Sequence, residues 1–83
     1  IDVRVSRGRL LEVEKLIARH PNVFAVYDIT GDFDVTIVAR FQTREELDLF
    51  IKDLQKKEHI ERTHTKLILN AIKEEAPLFK VGI

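Results

Sequence analysis

The sequence predicts an α+β domain of the ferredoxin-like type, βαββαβ, in which four antiparallel strands form one sheet and two helices cover one of its faces. Three observations support this prediction. Four stretches have the alternating or β-rich composition of strands. Two other stretches repeat apolar residues at helical spacing, and each lies between two of the strand-like stretches. The chain has 83 residues and no cysteine, which fits one domain without disulfides.

The first half of the chain predicts a strand, a helix and a second strand. Apolar residues alternate with polar ones over residues 1–5, as in a half-buried strand. Residues 9–20 predict a helix, which ends at Pro21 because the residue before a proline is pushed out of the helical region. Residues 23–30 are rich in β-branched and aromatic side chains and predict the second strand.

The second half repeats this order after a tight turn. Residues 33–41 alternate most clearly and predict the third strand. Thr43 and Glu46 have the spacing of a capping box, which predicts the start of the second helix. Residues 60–72 predict a long fourth strand. Right-handed crossovers then place the first and third strands in the centre of the sheet.

The charge balance limits the partners of this chain. It carries 14 basic and 14 acidic side chains, so its formal net charge is zero. Because phosphate binding needs an excess of Lys and Arg, this balance argues against a nucleic-acid grip. No apolar run approaches the roughly 20 residues that span a bilayer, and no signal-peptide pattern is present. We expect a cytoplasmic domain without membrane contact.

Side chains for catalysis or metal binding are scarce. The three histidines are widely spaced and match no zinc pattern, and Ser6 is the only serine. The glycines stand far apart, so no phosphate-binding loop is present. We therefore expect no catalytic residue, no metal site, no cofactor and no enzymatic activity.

The face of the sheet without helices is expected to be unusually apolar. Apolar residues occupy both alternating sets in several strands, so one set remains on that face in either hairpin register. A contiguous exposed apolar patch usually marks an interface, here with a second copy of the chain. The candidate residues for this dimer interface are Val26, Val38, Ile68 and Ile72.

The turn between the second and third strands carries two acids around an aromatic residue. It reads Gly31, Asp32, Phe33 and Asp34. Acids at turns commonly only shape the turn. Paired carboxylates also serve as catalysts in some enzymes, which is the less favoured interpretation here.

With this topology, residues 23–51 and the stretch ERTHTKLIL at 61–69 resemble the regulatory domain of the Lrp/AsnC transcription regulators. The family's hairpin carries Gly-Asp-Tyr-Asp, and Phe33 replaces the tyrosine here. The family's last strand often reads Arg-Thr-x-Thr. The helix-turn-helix that precedes this domain in the family is absent from the chain. We expect residues 1–76 to form a ligand-binding and oligomerisation domain, followed by a tail at 77–83.

The resemblance implies a function. Such domains form dimers through their sheets, dimers assemble into rings such as octamers, and an amino-acid effector binds between dimers. DNA would then be bound only through a separate helix-turn-helix domain. The residues implied in effector binding are Gly31, Asp32, Phe33, Asp34, Thr63 and Thr65.

Two alternatives remain open at this point. An ACT-like amino-acid-sensing module of a metabolic enzyme shares the strand order, but its ligand usually sits at the turn after the first strand, here residues 6–10. An oligomerisation module without a ligand is the other alternative.

Overall fold

The computed structural model describes residues 1–74, which form four strands and two helices. The elements are β1 (Asp2–Val5), α1 (Leu10–Ala18), β2 (Val23–Asp28), β3 (Val35–Ala39), α2 (Arg44–Lys56) and β4 (Ile60–His64). This is the predicted order, and the fold is the ferredoxin-like one. The predicted end of the domain at residue 76 and the predicted tail at 77–83 lie outside the described residues.

The strands form one antiparallel sheet in the order β2-β3-β1-β4. The prediction that the first and third strands lie in the centre is therefore confirmed. β1 pairs Asp2 with Thr36 of β3 on one side and with His64 of β4 on the other. Because α1 and α2 are the two crossover connections, both outer strands follow a helix.

The core lies between one face of the sheet and the two helices. It consists of apolar side chains from β1, β3, α1 and α2, each about 8% exposed or less. Burying one such side chain stabilises the fold by about 1.5–3 kcal/mol. The core residues are Val3, Val5, Val13, Ile17, Val35, Ile37, Phe50 and Leu54.

The start of α2 follows the predicted capping pattern with one difference. The Thr43 hydroxyl accepts a hydrogen bond from the Glu46 N–H at 3.2 Å. The Glu46 carboxylate reaches back to the N–H of Gln42 at 3.3 Å, one residue before the N-cap. Both bonds satisfy donors near the helix start, so α2 begins where the sequence places it.

The pairing of β2 with β3 contains a β-bulge and fixes the face on which Val26 lies. The pairing between β2 and β3 shifts between Val23 and Ala25, so the strict alternation assumed from the sequence fails there. From Ala25 to the hairpin the pairing is continuous, so Val26 pairs with Ile37 and packs against the buried core. Val26 therefore faces the helices, whereas the dimer interface was expected on the helix-free face.

The fourth strand is shorter than predicted. β4 ends at His64, whereas residues 65–72 have no regular secondary structure. β4 is an edge strand that pairs only with β1, and its last pair joins His64 to Asp2, the first residue of β1. Residues 65–72 therefore have no neighbouring strand to bond, and the predicted strand over this range was wrong for a single chain.

Candidate functional site

The β2–β3 hairpin ends in a turn whose backbone requires glycine. The Ile29 N–H donates to the Asp34 carbonyl at 3.0 Å and closes the loop. Gly31 has a φ of +106°, a region that side chains rarely adopt. A Cβ added there would meet no atom within 4 Å, so the requirement is conformational and not spatial. The turn leaves Gly31 and Asp32 exposed at the tip.

The two acids of the turn have different environments. One carboxylate oxygen of Asp34 accepts a hydrogen bond from the Val5 N–H at 2.8 Å, and the Asp34 N–H donates to the Val3 carbonyl at 2.9 Å. The Asp34 side chain thus continues the hydrogen bonding between β3 and β1 beyond the last paired residues. Asp32 is exposed, and among residues 1–74 it makes no hydrogen bond or ion pair. Asp34 anchors the hairpin, whereas the Asp32 carboxylate is available to a ligand.

Phe33 lies against the edge strand β4. The guanidinium carbon of Arg62 lies 4.9 Å from the centre of the Phe33 ring, in a cation–π contact. The imidazole of His64 meets the same ring edge-on, with 6.1 Å between the ring centroids. Arg62 and His64 are two residues apart and share one face of β4. The tip of the hairpin is therefore held close to β4.

The two threonines of the predicted site differ in their positions relative to Phe33. The Thr63 hydroxyl accepts a hydrogen bond from the Gln55 side chain of α2 at 3.1 Å, so Thr63 lies on the helix-bearing face. It alternates with Arg62 and His64, which contact Phe33 on the other face. Thr65 follows the end of β4 and is half-buried. Sequence reasoning missed Arg62 and His64, although alternation along the strand already placed them opposite Thr63.

The helix-free face carries the other predicted interface residues. Val38 is half-buried and pairs with Ala25 there. Phe24 is 57% exposed, and the Arg40 guanidinium carbon lies 4.8 Å from its ring centre. Ile68 and Ile72 are 78% and 88% exposed, and Leu69 is 94% exposed. A single chain therefore leaves a large apolar surface open to water.

Two ion pairs hold residues 65–74 beside the sheet. The Lys66 ammonium lies 3.5 Å from the Asp2 carboxylate, and Arg40 donates to Glu74 at 3.0 Å. The Thr36 hydroxyl donates to Asp2 at 2.8 Å, and this hydrogen bond, with a smaller effect of Lys66, lowers the pKa of Asp2. An open cleft of about 1070 Å³ lies between this segment and the sheet. Its lining includes Phe24, Val38, Thr65, Leu67 and Ile68.

A pair of acids lies where α1 meets the end of β2. Burial, followed by a hydrogen bond to Asp28 and the negative charge of that residue, raises the pKa of Glu14 to about 7. Glu14 therefore keeps its proton further into the weakly acidic range than an ordinary glutamate does. No group of three His, Cys, Asp or Glu side chains that could hold a metal ion occurs among residues 1–74. Within the same residues, no helix is long and apolar enough to cross a membrane.

Comparison with known proteins gives one consistent family. The family described as Lrp/AsnC ligand binding domain matches residues 1–78. An uncharacterised HTH-type transcriptional regulator of Pyrococcus furiosus is 33% identical over 75 residues, which is 90% of this chain and 51% of that protein. The HTH-type transcriptional regulator FL11 of Pyrococcus horikoshii is 34% identical over 76 residues, which is 92% of this chain and 50% of that protein. The chain thus spans about half the length of these curated relatives.

A solved structure agrees with the fold. The crystal structure of the protein TTHA0845 from Thermus thermophilus superposes with a TM-score of 0.81 at 31% sequence identity. The match covers 88% of this chain and 92% of that chain.

The different environments of the two hairpin acids predict different effects on stability. Asp34→Ala removes the acceptor of the Val5 N–H, and we expect it to lower the free energy of unfolding by about 1–3 kcal/mol. Asp32→Ala, the matched control, should change that free energy by less than about 0.5 kcal/mol. Urea unfolding followed by circular dichroism measures both. Equal midpoints for the two variants would contradict the anchoring role of Asp34.

The carboxyl pair predicts a pH dependence of stability. The pKa of Glu14 is raised from its ordinary 4.5 to about 7, so the folded state binds this proton more tightly than the unfolded state does. The free energy of unfolding should therefore fall as pH rises from about 4.5 to about 7. Glu14→Gln should flatten this fall. Because the Glu14 side chain is partly exposed, we expect Glu14→Gln to raise the free energy of unfolding at pH 8 by about 1 kcal/mol or less.

The measurement is the melting temperature of both proteins at several pH values. One kcal/mol corresponds to about 4–8 °C in a domain of this size. Glu58→Gln, at an exposed position, serves as the control and should leave the pH profile unchanged. If the melting temperatures of Glu14→Gln and the unmodified chain change with pH in parallel, the carboxyl pair does not affect the pH dependence of stability.

Proposed function

The chain belongs to the Lrp/AsnC ligand-binding domain family, and we propose that it serves as the amino-acid-binding and oligomerisation part of a transcription regulator. The observation that carries this proposal is the hairpin tip. There the exposed carboxylate of Asp32 is followed in the chain by the aromatic Phe33. Asp34 anchors this turn to the inner strand β1.

The proposed ligand is a small amino acid. Asp32 accepts hydrogen bonds from its ammonium group, and such charge-assisted bonds are among the stronger ones in proteins. Gly31 lets the ligand approach the backbone closely, since it has no side chain. Phe33 supplies an apolar surface. Membership of the Lrp/AsnC family favours this hairpin over the turn at residues 6–10 that an ACT-like module would use.

The proposed dimer forms through the helix-free face. Val38 lies there half-buried, and Ile68, Leu69 and Ile72 of the segment after β4 are far more exposed than the core. A second copy stacked by a two-fold axis removes this apolar surface from water. The second copy also offers residues 65–72 a neighbouring strand, which β1 is too short to provide. Assembly of such dimers into a ring, for example an octamer, brings neighbouring hairpin tips together.

The proposed mechanism is a shift between assemblies. An amino acid that binds one assembly better than another shifts the population toward it, by no more than its difference in affinity. In a full regulator this shift would move DNA-binding helix-turn-helix domains attached to the ring. We propose that DNA binding belongs to such a separate domain, that this chain has no enzymatic activity of its own, and that the regulator acts in the cytoplasm.

Amino-acid binding predicts stabilisation against heat. Each of the twenty amino acids is added to the chain and the melting temperature is measured. A ligand at about 100 times its dissociation constant stabilises the folded state by about 2.7 kcal/mol, which is roughly 10–20 °C here. Asp32→Ala should abolish the response, whereas Asp53→Ala, an exposed aspartate on α2, should keep it. If no amino acid raises the melting temperature, amino-acid sensing by this chain is excluded, and an oligomerisation module becomes the better account.

The proposed interface predicts a loss of assembly on adding charge. Val38→Asp and Ile68→Asp place a carboxylate in the stacked faces, and we expect both to sediment as a single chain. Leu49→Asp is the matched control, because Leu49 is 62% exposed on α2 and lies outside the proposed interface. Sedimentation equilibrium gives the masses. A single-chain mass for the unmodified protein, or an unchanged assembly in both variants, would refute this interface.

A further inference from the structure

The cluster around Phe33 contains a basic group that the proposed site does not yet use. Arg62 is exposed and lies over the Phe33 ring. Arg4, Arg40 and Arg44 each form an ion pair with an acid. Among residues 1–74, by contrast, no carboxylate lies within ion-pair distance of Arg62. Its cation–π contact fixes the position of the guanidinium without neutralising its charge.

The chemistry of this position suits a carboxylate. A guanidinium is planar and carries five N–H donors in a rigid fork, which matches the two oxygens of a carboxylate. A guanidinium held over an aromatic ring has already lost part of its side-chain freedom, so less entropy is lost when a ligand binds. Such bidentate pairs are stronger and more directional than a bond from a neutral hydroxyl.

The threonine expected to bind the carboxylate is placed elsewhere. The Thr63 hydroxyl faces α2 and bonds to Gln55. Arg62, the preceding residue, faces Phe33 on the opposite side of β4. Asp32 directly precedes Phe33 in the chain, so an exposed acid lies next in sequence to the residue that Arg62 contacts.

We propose that Arg62 binds the carboxylate of the effector while Asp32 binds its ammonium group, so that the site selects free α-amino acids over ligands without a carboxylate. This inference rests on the proposed function of the hairpin. It adds a second, charged recognition point and assigns it to the edge strand. Phe33 then positions Arg62 as well as contacting the ligand.

The test compares acids with their amides. The probes are the twenty L-amino acids and the twenty corresponding L-amino acid α-carboxamides, in which an uncharged group replaces the carboxylate. Thermal unfolding identifies which amino acids bind the unmodified chain, and calorimetry then gives the dissociation constants of each responding acid and its amide. The same pairs are measured with Arg62→Gln, with Arg62→Lys and with Arg19→Gln. Arg19 is an exposed arginine at the end of α1 and serves as the control.

We expect the unmodified chain to bind the acid at least tenfold more tightly than the amide. Arg62→Gln should weaken binding of the acid by about 10–100-fold and leave binding of the amide unchanged. Arg62→Lys keeps the charge without the planar fork and should retain part of the preference. Arg19→Gln should behave as the unmodified chain.

Several results would overturn the inference, and each has a different meaning. Equal binding of the acid by Arg62→Gln and the unmodified chain would show that Arg62 does not contact the carboxylate. An equal loss for acid and amide would show that Arg62 only supports Phe33. If none of the twenty amino acids binds the unmodified chain, the proposed function itself fails and this inference fails with it. Should Arg62→Gln not fold, an unchanged acid preference in Arg62→Lys would count against the guanidinium fork.

Discussion

Both helices lie on one face of the four-stranded sheet, and most features of this protein follow from that arrangement. The helices bury the inward side chains of β1 and β3, so Val3 and Val35 are fully excluded from water. The other face has no layer of its own. Its apolar residues, together with the segment after β4, therefore remain exposed in a single chain. Because apolar burial is the main favourable term in folding, this exposed surface supports the proposed association with another copy.

The hairpin tip combines an anchored turn with the side chains proposed to bind the ligand. Asp34 bonds to the backbone of β1 and fixes the turn, which leaves Asp32 free at the surface. Gly31 provides the backbone conformation that brings both acids to their places. Phe33 turns toward β4 and contacts Arg62 and His64. These contacts hold Phe33 and Arg62 in position, which would lower the entropy lost when a ligand binds.

The inner strand β1 connects the hairpin tip with the proposed dimer face. At one end the Val5 N–H bonds to Asp34 and holds the hairpin tip. At the other end Asp2 bonds to Thr36 and pairs with Lys66 of the segment after β4. β1 has only four residues, so a change at the tip and a change in the proposed dimer face act on one short strand. The proposed coupling between effector binding and assembly requires only that two assemblies bind the effector with different affinity.

Local sequence patterns were enough to predict the order of elements, the two-layer architecture, the tight turn at Gly31 and the start of α2 at Thr43. Each of these depends on residues close together in the chain, such as a period of apolar residues, a turn residue or a capping pair. Features that depend on distant residues were set by the packing of the whole domain. The register of the β2–β3 hairpin set the face of Val26, and the length of β1 set the end of β4. The contacts between Asp34 and Val5, between Glu14 and Asp28, and between Phe33 and Arg62 join residues that only the packed sheet and helices bring together, so no local pattern predicts them.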